Sequence, residues 1–229
     1  MMKKIALIPA RGGSKRIPHK NIKHFCGKPI IAYPIATALE STLFDEVVVS
    51  TDSQEIAVIA RNYGANVPFM RPKELSDDFT PTTSVATHAA NMLNLHDDDL
   101  LCVIYPTAPL LRTQTLSNAL QSLLADSTKY FSFCALAYDY NPHRGFYIKN
   151  GDIEMLFPTH YLTRSQDLES IYHDAGQFYW GKVNAWREQL PIFAPHSCAV
   201  IISSLEAQDI DTLQDWQLAE MKYKILFST

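Results

Sequence analysis

The sequence lacks any apolar run approaching the roughly 20 residues that a membrane-spanning helix needs. The short run after Met1-Met2-Lys3-Lys4, Ile5-Ala6-Leu7-Ile8, meets Pro9 and Arg11 before it could form the core of a secretory signal. A membrane is therefore not an expected partner. The four cysteines, Cys26, Cys102, Cys134 and Cys198, include no C-x-x-C pair and read as reduced, mostly buried thiols. The expected compartment is the cytoplasm. An excess of one charge is also missing: 20 basic and 24 acidic residues give a net −4, so there is no broad cationic field and nucleic acid is not an expected partner. A few local cations could still hold a small anion. What is present, 47% hydrophobic and 19% charged residues in a chain of 229, excludes global disorder and suits one α/β domain, residues 1–229, with an insertion.

Short β-branched runs alternate with helical patterns along most of the chain. Strands are expected at Lys4 to Ile8, Val47 to Val49, Asn66 to Met70, Leu100 to Tyr105, Tyr130 to Ala137, Gly176 to Trp180 and Ala199 to Ile202. Helices are expected from Pro29 to Leu43 with Pro34 near its first turn, from a capping box at Asp52-Ser53-Gln54-Glu55 to Gly64, and over Thr82 to Leu95, Thr113 to Leu124 and Asp211 to Phe227. Such alternation implies right-handed crossovers and a Rossmann-like, mainly parallel sheet with helices on both faces. The rhythm breaks at about 138–172, where Asn150-Gly151 between two short apolar runs signals a β-hairpin with a type I′ turn. Its Phe146, Tyr147, Met155 and Phe157 need a covering surface, from the parent domain or a second subunit. No internal repeat is visible.

Chemistry gathers first in Pro9-Ala10-Arg11-Gly12-Gly13-Ser14-Lys15-Arg16-Ile17-Pro18-His19-Lys20-Asn21, directly after the first strand. Open α/β sheets bind ligands at the carboxyl ends of their strands. Two glycines there let backbone approach a phosphate, and four interleaved cations supply charge, so a nucleotide site is favoured over a solvated basic loop. The Walker pattern is absent. So is the dinucleotide fingerprint, whose acidic residue should follow by roughly 20 positions, whereas Asp52 lies about forty past Gly12 and is accounted for as a helix cap.

The same loop resembles the first motif of the CMP-sugar synthetases, A-R-x-x-S-K-x-x-x-K-N, with every fixed letter met from Ala10 to Asn21. Arg71-Pro72-Lys73-Glu74-Leu75 with Asp77-Asp78 is similar to that family's second motif, Tyr105-Pro106-Thr107-Ala108-Pro109-Leu110 to its Q-P-T-S-P-L, and Asp209-Ile210-Asp211-Thr212 with Asp215-Trp216 to its terminal D-I-D-T-x-x-D-W. The four occur in the family's order across nearly the whole chain. Within it, Ile104 to Pro109 and Tyr172 to Trp180 are most similar to the branch that acts on pseudaminic acid.

The resemblance implies a nucleotidyltransferase that joins CTP to an acidic nine-carbon sugar and releases pyrophosphate. It implies that Arg11, Lys15, Lys20 and Asn21 hold the CTP phosphates and ribose beside Gly12, Gly13 and Ser14, and that Ala10 and Arg11 lie near the cytosine. Asp209 and Asp211 would hold Mg²⁺, with Arg11, Lys20 and Asp211 carrying catalysis. Tyr105, Gln177, Phe178, Tyr179 and Arg164 would meet the sugar, and the hairpin would dimerise the enzyme. Each role has a plainer competitor. Asp211 with Gln214 could merely cap the last helix, Arg164 could be a surface arginine, Tyr105 a core residue, and His88 and His173 structural histidines. Two further functions stay open: a synthetase for N-acetylneuraminic or another nonulosonic acid, and a nucleotide-binding module without turnover, against which the two retained aspartates argue. A sugar-1-phosphate nucleotidyltransferase would require G-x-G-x-R-x-x-P, from which the loop departs.

Overall fold

The computed structural model describes residues 2–227. Strand β1, Lys4–Pro9, has its four central residues buried, as a strand covered on both faces should. A small hairpin of β2 (His24–Phe25) and β3 (Lys28–Pro29) precedes helix α1 (Ala32–Glu40). This helix starts three residues later than its pattern suggests, because Pro29 pairs with His24 in the hairpin. Pro34 falls in the first turn, where the missing N–H removes no helical bond.

Next come β4 (Glu46–Ser50) and α2 (Gln54–Asn62). The cap of α2 is Ser53, whose hydroxyl accepts from the Ile56 N–H, and Asp52 is left free to act elsewhere. The segment expected as a third strand is not one: Asn66 and Met70 make only isolated bridges to Val48 and Thr51, and Pro68 between them has no N–H for a ladder.

The chain continues through α3 (Thr82–Met92), β5 (Leu100–Ile104), α4 (Thr113–Ala125), β6 (Phe131–Ala137), the hairpin β7 (Phe146–Lys149) and β8 (Asp152–Met155), β9 (Tyr172–Lys182), α5 (Val183–Arg187), β10 (Ser197–Ile201) and α6 (Leu213–Phe227). Among the described residues the main sheet has the order β10-β6-β9-β5-β1-β4. Every neighbouring pair is parallel except the two made by β9, which runs against β5 and β6. The fold is thus α/β with a mainly parallel sheet. The cause of the exception is local: Ala137 at the end of β6 pairs with Tyr172 at the start of β9, so residues 138–171 form an elaborated hairpin connection. Asn150 and Gly151 both have positive φ, 53° and 94°, as a type I′ turn requires.

Helices α1, α2 and α4 cover one face of the sheet and α3 with α5 the other. Buried indoles at Trp180 and Trp186 donate to the carbonyls of Leu116 and Leu101, each at 3.1 Å, so neither leaves an unpaired polar group in the core. At Gly181 a Cβ would lie 2.4 Å from Trp186 Nε1 and 2.7 Å from the Phe131 ring, so only glycine lets that indole reach the sheet. A third cluster joins Ile17, Phe25, Ile30 and Tyr33 to Ile210 and Trp216, and this is what docks the N-terminus of α6 behind the loop after β1.

Candidate active site

A cavity of about 640 Å³ opens at the carboxyl ends of β1 and β5. The loop from Ala10 to Asn21 forms one wall, and its shape is set by internal bonds. Ala10 is buried and its N–H donates to Ser50 O at 2.9 Å, continuing the β1–β4 ladder. Asn21, also buried, donates through Nδ2 to Arg11 O at 2.9 Å and so closes the loop on itself. The Gly12 N–H donates to Asp52 Oδ1 at 2.9 Å, which is the use Asp52 finds once Ser53 has taken the cap. Gly13 lies open beside it, and neither glycine lines the cavity.

All four loop cations are paired with carboxylates. Asp78 receives Arg11 at 2.6 Å and Lys15 at 2.5 Å, while Asp211 receives Arg16 at 2.7 Å and Lys20 at 3.6 Å. Hydrogen bonds from Lys15 and Arg11 hold the Asp78 carboxyl below the usual carboxylate range. Lys20 also donates to Ile210 O at 2.7 Å, tying the loop to the terminal motif.

That motif is built by alternation. Ile210 is buried in the third cluster, and Asp209 and Asp211 on either side of it both reach the cavity. Capping does not consume Asp211: Asp215 accepts from the N–H groups of Asp211 and Thr212 at 3.2 and 2.8 Å, and Thr212 Oγ1 accepts from Asp215 N at 3.2 Å, a reciprocal cap that leaves the Asp211 carboxylate to Arg16 and Lys20. Burial, and then the neighbouring Asp211 charge, push the Asp209 carboxyl above its ordinary value, with Lys20 opposing.

The expected sugar residues divide. Tyr105 lines the cavity beside Thr82, their hydroxyls 3.4 Å apart. Tyr179 sits behind it, buried, with the rings edge-on at 5.7 Å. Phe178 points to the opposite face of the sheet and is wholly buried there, while buried Gln177 donates to Glu206 O at 2.6 Å. Neither lines the cavity. Arg164 is exposed on the insertion and forks onto Asp167 at 2.7 and 3.2 Å. His88 lies outside the cavity lining and packs edge-on against Phe69.

Three side chains had no place among the sequence candidates. Arg71 is buried, lines the cavity and donates through Nε to Ser76 Oγ at 3.1 Å. Burial, foremost, lowers its pKa, with the Asp52 charge opposing. Asp78 lay inside a recognised motif and was legible as a position, but nothing local shows that it folds onto Arg11 and Lys15. Asp174 borders a second cavity of about 540 Å³ that shares Asp209 with the first.

A parallel sheet with a cation-rich loop facing two carboxylates is the arrangement of a nucleotide-transferring enzyme, and the chain belongs to the cytidylyltransferase family, whose model matches residues 5–177. It is 45% identical to the pseudaminic acid cytidylyltransferase of Campylobacter jejuni over 98% of this chain and 97% of that protein. With the CMP-N,N'-diacetyllegionaminic acid synthase of Legionella pneumophila it shares 31% identity, covering 96% and 95%. Among solved structures it matches a CMP:2-keto-3-deoxy-manno-octonic acid synthetase complexed with CTP at a TM-score of 0.73, over 99% of this chain and 100% of that one. At 18% identity this last likeness concerns the fold.

Proposed function

We propose that this enzyme joins CTP to pseudaminic acid, giving CMP-pseudaminic acid and pyrophosphate, in a Mg²⁺-dependent reaction. The observation that carries the nucleotide half is the convergence of Arg11, Lys15, Arg16 and Lys20 with Asp209 and Asp211 on one cavity at the strand ends. The sugar half is supported by the near full-length similarity to the Campylobacter enzyme.

In this reading the triphosphate replaces Asp78 as the partner of Arg11 and Lys15, with Ser14 beside it. Lys20 and Asn21 stand at the α-phosphate and ribose, and Ala10 and Arg11 near the cytosine. The donor set suits Mg²⁺: two carboxylates flank the proposed phosphate site, Asp209 is raised by burial first and by the Asp211 charge second, and the ion takes one or two carboxylates with phosphate oxygens and water as its other ligands. Bound by Asp209 and Asp211, it would neutralise charge on the phosphate oxygens. The anomeric hydroxyl of the sugar gives up its proton to solvent and attacks the α-phosphorus; a new P–O bond forms, and the bond from the α-phosphorus to the α,β-bridging oxygen breaks with departure of pyrophosphate. The loop cations contribute position and charge stabilisation.

The whole chain acts as one nucleotidyltransferase unit whose arm, residues 138–172, packs across a homodimer and brings Arg164 to the neighbour's sugar carboxylate. The four unpaired thiols support a cytoplasmic enzyme, and none of the described helices is long and apolar enough to cross a membrane.

The test is pyrophosphate release from CTP with a panel of nonulosonic acids. Pseudaminic acid is expected to be turned over with a kcat/KM above that for N-acetylneuraminic acid by a factor approaching 10⁴, roughly the discrimination lost hydrogen bonds can give. Equal use of both sugars leaves only the family-level activity. Release with none of them overturns the reading.

A further inference from the structure

The register of β9 breaks where it passes β6: Phe133 pairs with Tyr179 and Ala135 with Asp174, so one residue of β6 between the pairs stands against four of β9, and Gly176 takes φ +63° within the irregularity. In a regular strand Asp174 and Tyr179, five positions apart, would point to opposite faces. The bulge instead brings them together, and the Tyr179 hydroxyl donates to Asp174 Oδ2, while Asp174 Oδ1 accepts from the Gly176 N–H at 3.1 Å. Tyr179 lines neither cavity. It stands between Asp174, which borders the second cavity, and Tyr105, which borders the first.

We propose that Asp174 is a positioning residue for the acceptor sugar: it fixes the hydroxyl of Tyr179, and through it the orientation and hydrogen-bond polarity of Tyr105 at the acceptor end of the nucleotide cavity. The inference rests on the function proposed above. Tyr179 has one proton, and it is committed to the carboxylate. Toward Tyr105 its oxygen therefore offers lone pairs only. In this proposal the Tyr105 ring, edge-on to Tyr179 at 5.7 Å and with its hydroxyl 3.4 Å from Thr82 Oγ1, turns its proton inward and presents its oxygen to the cavity as an acceptor. The matching group on the substrate is an N–H or O–H donor, which an acylated amine on the sugar supplies. A glutamine at position 105 would present a donor as well and could not impose this polarity. Burial, with Tyr105 and Asp174 beside it, pushes the Tyr179 phenol far above its ordinary pKa, so this arrangement persists across the working range of an enzyme.

Asp174→Asn tests it with little change of shape. The amide oxygen still accepts from Gly176, but the NH₂ now donates to Tyr179, whose own proton turns toward Tyr105 and reverses the polarity presented to the sugar. The expected result is a KM for the acceptor raised roughly tenfold or more, with the dissociation constant of CTP, measured without acceptor, unchanged within about twofold. Tyr179→Phe keeps the ring and removes the link, so it should give a similar acceptor KM. The double variant should be no worse than either single one, because both break the same chain. An unmoved acceptor KM, an equal loss of CTP affinity, or additive effects in the double variant would overturn the proposal. A wild-type enzyme inactive with every sugar would overturn the function itself, an outcome the variants do not mimic.

Discussion

Asp211 faces Arg16 and Lys20, whereas burial first and the Asp211 charge second raise the pKa of its neighbour Asp209, so the two carboxylates differ in how readily each ionises. Asp211→Asn keeps the shape and the Asp215–Thr212 cap, so the fold should survive. Activity at limiting Mg²⁺ should fall by at least the roughly 10–100-fold that loss of an outer metal partner costs, with partial recovery as Mg²⁺ is raised. Pyrophosphate release against Mg²⁺ concentration measures this, and an unchanged curve would remove Asp211 from the metal site. That Arg11, Lys20, Asn21 and the two aspartates gather on one cavity was legible where a motif fixed their spacing. Asp52 was misread as a cap because the adjacent Ser53 serves that purpose equally well. Asp174 was invisible because its role depends on a strand irregularity with no local signature beyond one glycine.

The hairpin β7–β8 and the turns that follow it form the element least covered by the chain itself. Ile148 and Ile153 are 72% and 68% exposed, and Tyr161 and Leu162 stand at 69% and 88%. Cross-strand pairing of Ile148 with Ile153 places both side chains on one face, a compact apolar ridge for the proposed second subunit to bury. Ile148→Lys combined with Ile153→Lys should convert a dimer into monomers in light scattering and lower kcat/KM for the sugar, while secondary structure is retained. A wild-type protein that is fully active as a monomer would defeat this. At the level of elements the hairpin and its turn type could be read from Asn150-Gly151, and most strands and helices from their periodicity. The direction of β9 could not: an apolar run is the same whether its neighbours run with it or against it, and only the return of the chain beside β6 decides.

Across the whole molecule the net charge of −4 conceals a local arrangement in which the binding loop is already neutralised from within. The lowered pKa of Asp78 means that its pairing with Arg11 and Lys15 is in place above the ordinary carboxylate value, and is lost only as pH falls through the depressed one. The loop therefore carries its own counter-ion, and in the proposed function the arrival of a triphosphate would be an exchange of anions, not the capture of one by bare cations. Dissolved salt should consequently compete only weakly in the wild type, whereas Asp78→Asn, with two cations released, should bind CTP more tightly at low ionic strength and lose that advantage steeply as salt is added. Calorimetric titration of both proteins at low and high salt reads the difference in slope, and parallel slopes would show that Asp78 leaves the loop before the nucleotide comes. If the slopes diverge, the aspartate acts as a built-in selectivity filter, since phosphate or a monophosphate, too weakly charged to displace it, would be turned away while a triphosphate chelated at both ends is admitted.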